Sequence, residues 1–310
     1  MKEQAERRLT LAWQRSDALF NIVRRESILR QPIPWRHPFI FYVGHLPAFA
    51  WNQICRGVLG REPLNSRFDE LFSRGIDPDL DSGICHDHPD VPEQWPDLDE
   101  VLEYRDRART AVLNSIEDVP RAARRDIMAL NGRVLTMVLE HECMHQETFL
   151  YMVQELWAEE KNPPPDLPEH VLGKSIAPAE VEIPDGEAKL GASFDSLDFG
   201  WDNEFPERRA RVPCFRIDVT PVTNGQFLDF VESGAYANPA YWRRGDWLWK
   251  SKFGVRHPHF WIKREGQWFY RTLFDFLKLE SVLSWPVYVS LAEALAYARW
   301  KGKRLPTEAE

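Results

Sequence analysis

The chain has 310 residues, of which 44% are hydrophobic and 28% are charged, and its formal net charge is −9. This composition is typical of a folded protein of about two domains, and the acidic balance argues against general nucleic-acid binding, which needs a basic surface. No apolar run approaches the length of a membrane span, and the N-terminus is too charged for a signal peptide. We therefore expect a cytoplasmic protein that binds neither nucleic acid nor membrane. We also expect it to be a monomer or a small homo-oligomer.

The first half of the chain contains four segments in which apolar residues recur at helical spacing. These segments are residues 1–31, 39–58, 97–116 and 121–157. Residues 59–97 are rich in Pro, Asp and Gly and are predicted to form a long loop. Four helices with ligands facing inward from different helices fit a four-helix bundle with a metal site in its core.

Three consecutive prolines at 163–165 cannot continue a helix and indicate a domain boundary. We predict a helical metal-binding domain over residues 1–160, a linker over 161–179 and a loop-rich α+β domain over 180–310. In that last domain the sequence predicts a strand from Glu180, a turn at Asp185-Gly186 and helical pieces over 224–232 and 291–301.

The end of the chain resembles the beginning of another helix. Thr307 and Glu310 have the spacing of a capping box. Because a chain should not stop at the first turn of a helix, we expect the natural protein to continue beyond Glu310.

Two histidines, His141 and His145, lie four residues apart in the fourth predicted helix. On a helix these positions share one face, so both imidazoles could reach a single metal ion. The third ligand is predicted to be His45, which lies in an otherwise apolar helix where an unsatisfied histidine would be costly to bury. Gly44 leaves room beside it for another element to approach. The alternatives are His37, His86 and His88.

Spacing alone does not choose among iron(II), zinc and copper for three histidines. The segment from His141 to His145 also matches the zinc-protease pattern, with Glu142 as the catalytic base. Against that interpretation, the chain continues as ordinary helix, without the glycine-bearing turn or third ligand usual downstream. Glu147 could accept a hydrogen bond from a ligand N–H. A non-catalytic binding module is a third hypothesis.

The first half of the chain resembles the DinB-like domain of ergothioneine-biosynthesis sulfoxide synthases of the EgtB type. The residues that carry this resemblance are Gly44, His45, Phe49, His141, His145 and Glu147. The second half resembles the formylglycine-generating-enzyme-like domain, with a C-type-lectin-like fold, that follows it in that family. The matching stretches are 199–206, 215–218, 221–224 and 296–310.

The resemblance implies an iron(II) centre held by His45, His141 and His145. It also implies O2-dependent joining of a thiol, cysteine or γ-glutamylcysteine, to the imidazole of hercynine, a histidine betaine, to give a sulfoxide. Ovothiol-type synthases, which take histidine, and selenoneine-type synthases, which use a selenium donor, are close variants.

Further residue roles follow from the same resemblance. Arg105 matches a position that contacts the carboxylates of the thiol substrate in some members. Met144 stands where well-known members have a Gln that touches the imidazole substrate. The catalytic tyrosine of many members would lie beyond Glu310.

Overall fold

A computed structural model describes residues 2–73, 94–173, 177–197 and 199–310. The chain divides into two compact units. The helical unit comprises Met1–Pro165 with Phe194–Trp201, and the sheet-containing unit comprises Asp166–Ser193 with Asp202–Glu310. The fold is thus mixed, with helices in the first unit and sheets with helices in the second; the boundaries at 160 and 180 stay predictions.

The helical unit is built around α2, which packs against two other long helices. Its helices are α1 (Lys2–Phe20), α2 (Phe39–Ala50), α3 (Ser66–Leu71), α4 (Leu98–Leu113), α5 (Val119–Ala122) and α6 (Arg133–Glu155). α2 contacts α4 and α6, and α1 contacts α6. Every residue of α2 except Phe49 is buried, as expected of a helix that is apolar on all sides. The four-helix bundle itself stays a prediction.

Two of the predicted helices are shorter than their apolar patterns indicate. α1 ends at Phe20, and a short 3-10 turn (Arg25–Ser27) follows where the pattern continues to residue 31. α6 begins at Arg133, twelve residues later than predicted. Asn131 and Gly132 have φ values of 54° and 70°, and two successive left-handed residues cannot continue a right-handed helix.

The second predicted helix continues past the end of α2. Trp51–Val58 forms π-helical turns directly after α2, so the predicted span of 39–58 is helical throughout. The third predicted helix is α4, which Asp97 caps by accepting from the backbone N–H of Asp99.

The sheet-containing unit begins with a long two-stranded ribbon. Its strands are β1 (Glu180–Ile183), β2 (Gly186–Leu190), β3 (Arg208–Val212) and β4 (Phe215–Asp218). β1 pairs with β4 and β2 with β3, all antiparallel. The chain therefore runs straight on from β1 into β2, and the predicted turn at Asp185-Gly186 is a bend, not a reversal.

Aromatic side chains fill the core of this unit. Its helices are α7 (Asn224–Glu232), α8 (Arg244–Lys252) and α9 (Leu291–Trp300), and its second sheet has the order β5 (Trp261–Arg264), β6 (Gln267–Arg271), β7 (Phe276–Lys278). Phe227, Phe230, Trp242 and Trp261 are buried together. At the end of the chain Thr307 and Glu310 exchange capping hydrogen bonds of 2.8 and 3.4 Å.

Two further properties concern both units. Among the described residues, no helix combines the length and the apolar character that a membrane span requires. The cysteines within the described ranges, Cys55, Cys143 and Cys214, are free thiols; Cys85 lies outside the described residues.

Candidate metal centre

Helix α6 places His141 and His145 one turn apart on the face that packs toward α2. His141 is buried and His145 is half-buried. Their ring centroids are 4.4 Å apart and the ring planes are 66° apart. Both imidazoles therefore converge, as the i, i+4 spacing predicts.

The third imidazole comes from α2, where a glycine makes space for the element that orients it. A Cβ at Gly44 would lie 2.5 Å from the ring of Phe72, so only glycine allows this close approach. His45 Nδ1 donates to the backbone carbonyl of Phe72 at 2.7 Å. Because Nδ1 carries the proton, the lone pair of His45 is on Nε2, toward the other two histidines.

The ring nitrogen of His45 lies at the distances from the other two ring nitrogens that a shared metal ion requires. His45 Nε2 lies 3.2 Å from Nε2 of His141 and 3.2 Å from Nε2 of His145. An ion about 2.1 Å from each of two nitrogens holds them about 3.0 to 3.4 Å apart. The potential ligand atoms of all three lie within 4.8 Å of one another. The donor set therefore fits a divalent transition metal, and the three histidines could hold one.

Burial keeps these imidazoles neutral, the form that binds metal. Burial lowers the pKa of His45 to about 4 and the pKa of His145 to about 3. Burial also lowers the pKa of His141, with a further contribution from His45. At neutral pH each ring nitrogen that faces the centre can therefore act as a ligand without first losing a proton from the imidazolium.

Two phenylalanines of α2 stack on the histidine rings. Phe41 lies 4.8 Å from His45 between ring centroids, with planes 21° apart. Phe49 lies 3.6 Å from His141, with planes 9° apart. Phe41, His45 and Phe49 are spaced by four residues, so one face of α2 supplies both a ligand and the rings that pack against two ligands.

Of the alternative ligands, only His37 lies in the part of the chain that the structure describes, and it does not join this cluster. His37 is buried and packs against Phe41, with ring centroids 4.0 Å apart, and it is not among the grouped metal-binding side chains of the described residues. His86 and His88 lie outside the described residues.

Glu142, the base of the zinc-hydrolase alternative, is directed to α1 and not to the centre. Its carboxylate accepts a short hydrogen bond from the hydroxyl of Ser16, and Gln146 Nε2 donates to the same hydroxyl at 3.0 Å. Burial raises the pKa of Glu142 to about 7. Adjacent helical positions point about 100° apart, so a carboxyl held by α1 is poorly placed to activate a water at the histidines.

Glu147 is exposed on α6, away from the ligand rings. His145 Nδ1 is buried and has no hydrogen-bond partner among the described residues. No hydrogen bond therefore joins Glu147 to His145 here, and the supporting role of Glu147 stays a prediction.

The two predicted substrate-binding residues have different surroundings. Arg105 is paired with Asp17 of α1 at 3.2 Å and with its neighbour Asp106 at 2.9 Å. Arg109 forms an ion pair with the same Asp17 at 2.8 Å. Met144 is 48% exposed. The structure thus shows a carboxylate already bound at Arg105, and both roles stay predictions.

The apolar patterns of the sequence do not point to the charged and aromatic residues near the centre. These residues are Arg36, Tyr42 and Tyr151. Tyr42 is one helical turn before His45, and its ring centroid lies 5.6 Å from that of His145. The helical spacing of Tyr42 was the available signal. Arg36 lies in the turn before α2, where no periodicity points to a site.

Two domain families match the chain, one in each half. Residues 8–149 match the DinB superfamily, and residues 169–310 match the sulfatase-modifying factor enzyme 1-like domain. Ergothioneine biosynthesis protein 1 of Schizosaccharomyces pombe is 31% identical over 93% of this chain and 38% of its own length. Hercynine oxygenase of Mycolicibacterium smegmatis is 30% identical over 72% of this chain and 55% of its own.

The chain belongs to the EgtB-type family of ergothioneine biosynthesis. Formylglycine-generating enzyme of Thermomonospora curvata is 34% identical over 44% of this chain. The ergothioneine relative matches 93% of it, so the assignment depends on both halves. The chain spans 38% and 55% of the length of the two ergothioneine and hercynine relatives. The chain therefore has a cluster of three histidines and belongs to a family in which a relative is named hercynine oxygenase.

Proposed function

We propose that this protein is an iron(II)- and O2-dependent sulfoxide synthase that joins a thiol to the imidazole ring of hercynine. The observation that supports this most directly is the convergence of His45, His141 and His145 on one point in a member of this family. The relatives named hercynine oxygenase support the choice of substrate class.

If His45, His141 and His145 held an octahedral metal, three further positions would be open on it. That number suits a centre at which two substrates and dioxygen meet. When bound, iron(II) would supply the redox chemistry that activates dioxygen. The chain's own residues keep the ligands neutral by burial and hold the rings in place through Phe41, Phe49 and the Phe72 carbonyl.

The overall reaction consumes one O2 for each sulfoxide. The imidazole C–H bond and the thiol S–H bond break, and a C–S bond and an S–O bond form. One oxygen atom enters the sulfoxide, and the other leaves as water with the two released hydrogens. The four electrons that reduce O2 come from the thiol and the imidazole carbon, so no external reductant is needed.

The thiol donor is proposed to be cysteine or γ-glutamylcysteine, with Arg105 as a contact to its carboxylate. For this contact to form, Asp17 must share or release Arg105, to which it is bound at 3.2 Å. Arg109 holds Asp17 through two further hydrogen bonds of 3.0 and 2.8 Å, and could keep that carboxylate when Arg105 turns to a substrate. Met144, half exposed, would contribute an apolar contact to the imidazole substrate in place of the Gln hydrogen bond.

Oxygen consumption by the full-length, iron-loaded protein tests this proposal. Each thiol is paired in turn with hercynine and with histidine, and a selenium donor is paired with hercynine. We expect uptake of O2 that needs both substrates and is lost in His141→Ala. If no pair supports O2 uptake, the proposal is wrong; a preference for histidine or for the selenium donor would instead assign an ovothiol- or selenoneine-type synthase.

A further inference from the structure

Hydrogen bonds hold the backbone of Arg36 in the turn that leads into α2. Its backbone N–H donates to the Ile33 carbonyl at 3.0 Å, and the side-chain amide of Gln31 donates to the carbonyls of Pro34 and Arg36 at 2.9 and 2.7 Å. Two residues later Pro38 is the N-cap of α2. The position of Arg36 is thereby fixed relative to the helix that carries His45.

The guanidinium of Arg36 has no carboxylate partner among the described residues. The side chain is half-buried, and its Nε is buried without a hydrogen-bond partner. Arg105 and Arg109 of the same unit are both paired with Asp17. A partly desolvated cation without a counter-ion is unfavourable by itself, and this makes Arg36 a candidate for binding an anion from outside the chain.

Arg36 lies beside the histidine centre. Its guanidinium carbon is 5.5 Å from the ring centroid of Tyr151 on α6, the helix that carries His145. Its charge is close enough to Tyr42 and to His145 to contribute to lowering the pKa of each, although burial dominates and leaves the pKa of Tyr42 raised. The Tyr42 ring centroid lies 5.6 Å from that of His145, so Arg36 is on the side of the centre that Tyr42 and His145 occupy.

We propose that Arg36 binds the α-carboxylate of an amino-acid substrate that is held at His45, His141 and His145. This inference rests on the proposed function, in which both substrates are amino-acid derivatives. The planar guanidinium can form two parallel hydrogen bonds to a carboxylate, while the Tyr151 ring supports it through a cation–π contact. Arg36 would thus determine which end of the substrate faces away from the metal.

Either substrate could supply this carboxylate, and decarboxylated ligands separate the two sources. Binding to the full-length, iron-loaded protein is measured anaerobically by calorimetry. One arm compares hercynine with its counterpart lacking the carboxylate. The other arm compares cysteine with cysteamine. In Arg36→Gln we expect the affinity for one carboxylate ligand to fall about 10- to 100-fold, and the affinity for its decarboxylated counterpart to stay as in the wild type.

Two further variants separate carboxylate recognition from a change in folding. Arg36→Lys keeps the charge but loses the paired hydrogen bonds, and we expect an intermediate loss of affinity. Arg67→Gln is the matched control, because Arg67 also lies 5.5 Å from an aromatic centroid, that of Phe68, in the same unit. It should bind every ligand as the wild type does.

Two results in Arg36→Gln would overturn the inference. One is an equal loss of affinity for each carboxylate ligand and its decarboxylated counterpart, and the other is no loss of affinity for any ligand. If these variants bind normally while the wild type consumes O2 with both substrates, the inference fails and the proposed function stands. If the wild type binds no imidazole ligand and no thiol, both fail together.

Discussion

The ring of Phe49 lies flat on the imidazole of His141, with centroids 3.6 Å apart and planes 9° apart. Phe49 is one turn after His45 on α2, whereas His141 belongs to α6. The contact therefore joins the helices that carry two ligands distant in the sequence, His45 and His141. It holds the His141 ring in one orientation before any metal binds.

Replacing Phe49 should weaken metal binding more than it weakens the fold. In Phe49→Leu we expect metal affinity to fall about tenfold, because residues that support a ligand typically contribute about 10- to 100-fold. The free energy of unfolding of the metal-free protein should fall by about 1 kcal/mol. Anaerobic metal titration and denaturant unfolding measure the two effects separately.

Phe20→Leu is the matched control for this variant. Phe20 is a partly buried residue of the same unit and packs edge-on against Phe149, with ring centroids 4.8 Å apart. We expect a similar loss of stability and no change in metal affinity. Equal losses of metal affinity in both variants would show that the stacking on His141 has no special role.

Gly44→Ala should disturb the ligand next to it. The new Cβ would lie 2.5 Å from the Phe72 ring, and the displacement of Phe72 would move the carbonyl that accepts from His45 Nδ1. We expect a loss of about 1–3 kcal/mol in the free energy of unfolding and weaker metal binding. Gly245→Ala, where the Cβ would meet open space, should cost nothing.

A second substitution tests whether the Phe72 contact is the cause. In the double variant Gly44→Ala, Phe72→Ala, the steric conflict is removed. The cost of Gly44→Ala should therefore be smaller in the Phe72→Ala background than in the wild type. Additive losses would contradict the proposed reason for a glycine at this position.

The three histidines could be predicted from the sequence because each lies in a helix with a regular apolar pattern. His141 and His145 follow from their spacing, and His45 from its apolar surroundings beside Gly44. Those are local properties, which a single sequence records. The close approach of Phe72 to Gly44 confirms the predicted space for another element, though the sequence does not name that element.

The parts that could not be predicted depend on contacts between distant residues. The pairing of Asp17 with Arg105 joins side chains 88 residues apart, and no pattern in either helix indicates it. Arg36 lies in a turn that is held by side-chain hydrogen bonds rather than by periodic burial. The late start of α6, by contrast, has a local signal in the sequence. Asn131-Gly132 is a turn dipeptide, but the apolar pattern continues across it and predicts an unbroken helix.

Glu142→Gln should stabilise the protein at alkaline pH. Burial raises the pKa of Glu142 from 4.5 to about 7 in the folded state, so the folded protein holds a proton that the unfolded chain releases. Stability therefore falls as pH rises from about 4.5 to about 7 and is then constant. A glutamine avoids this cost and can still accept from Ser16, so at pH 8 the variant should be more stable by on the order of 2–3 kcal/mol.

The same variant separates the iron enzyme from a zinc hydrolase. At pH 4 Glu142→Gln should be as stable as the wild type. The control is Glu140→Gln, at an exposed position of the same helix, which should be as stable as the wild type at every pH. O2-dependent activity should survive in Glu142→Gln. Loss of activity with unchanged metal content and stability would favour a catalytic base at this position.

In the sheet-containing unit, Glu293 links a helix cap to a buried phenol. It accepts from the Tyr236 hydroxyl at 2.6 Å and from the backbone N–H and hydroxyl of Ser290 at 2.8 Å each. Glu293→Ala removes the glutamate side of the capping box and leaves the phenol unpaired, so we expect a loss of about 2–4 kcal/mol. Denaturant unfolding of the full-length protein measures this loss.

Tyr236→Phe tests the link within that pair. Removing the hydroxyl alone should cost about 1 kcal/mol. Because the two residues share a hydrogen bond, Glu293→Ala should cost less in the Tyr236→Phe background than in the wild type. Independent effects would show that the bond contributes little to stability.

The iron content of protein prepared anaerobically tests the central claim most directly, with His45→Ala and His37→Leu compared with the wild type. His37 is a buried histidine eight residues before His45 and outside the cluster, so His37→Leu removes a histidine without removing a ligand. We predict about one iron per chain in the wild type and in His37→Leu, and almost none in His45→Ala. A wild type that binds no iron, or a His45→Ala variant that keeps it, would contradict a three-histidine iron centre.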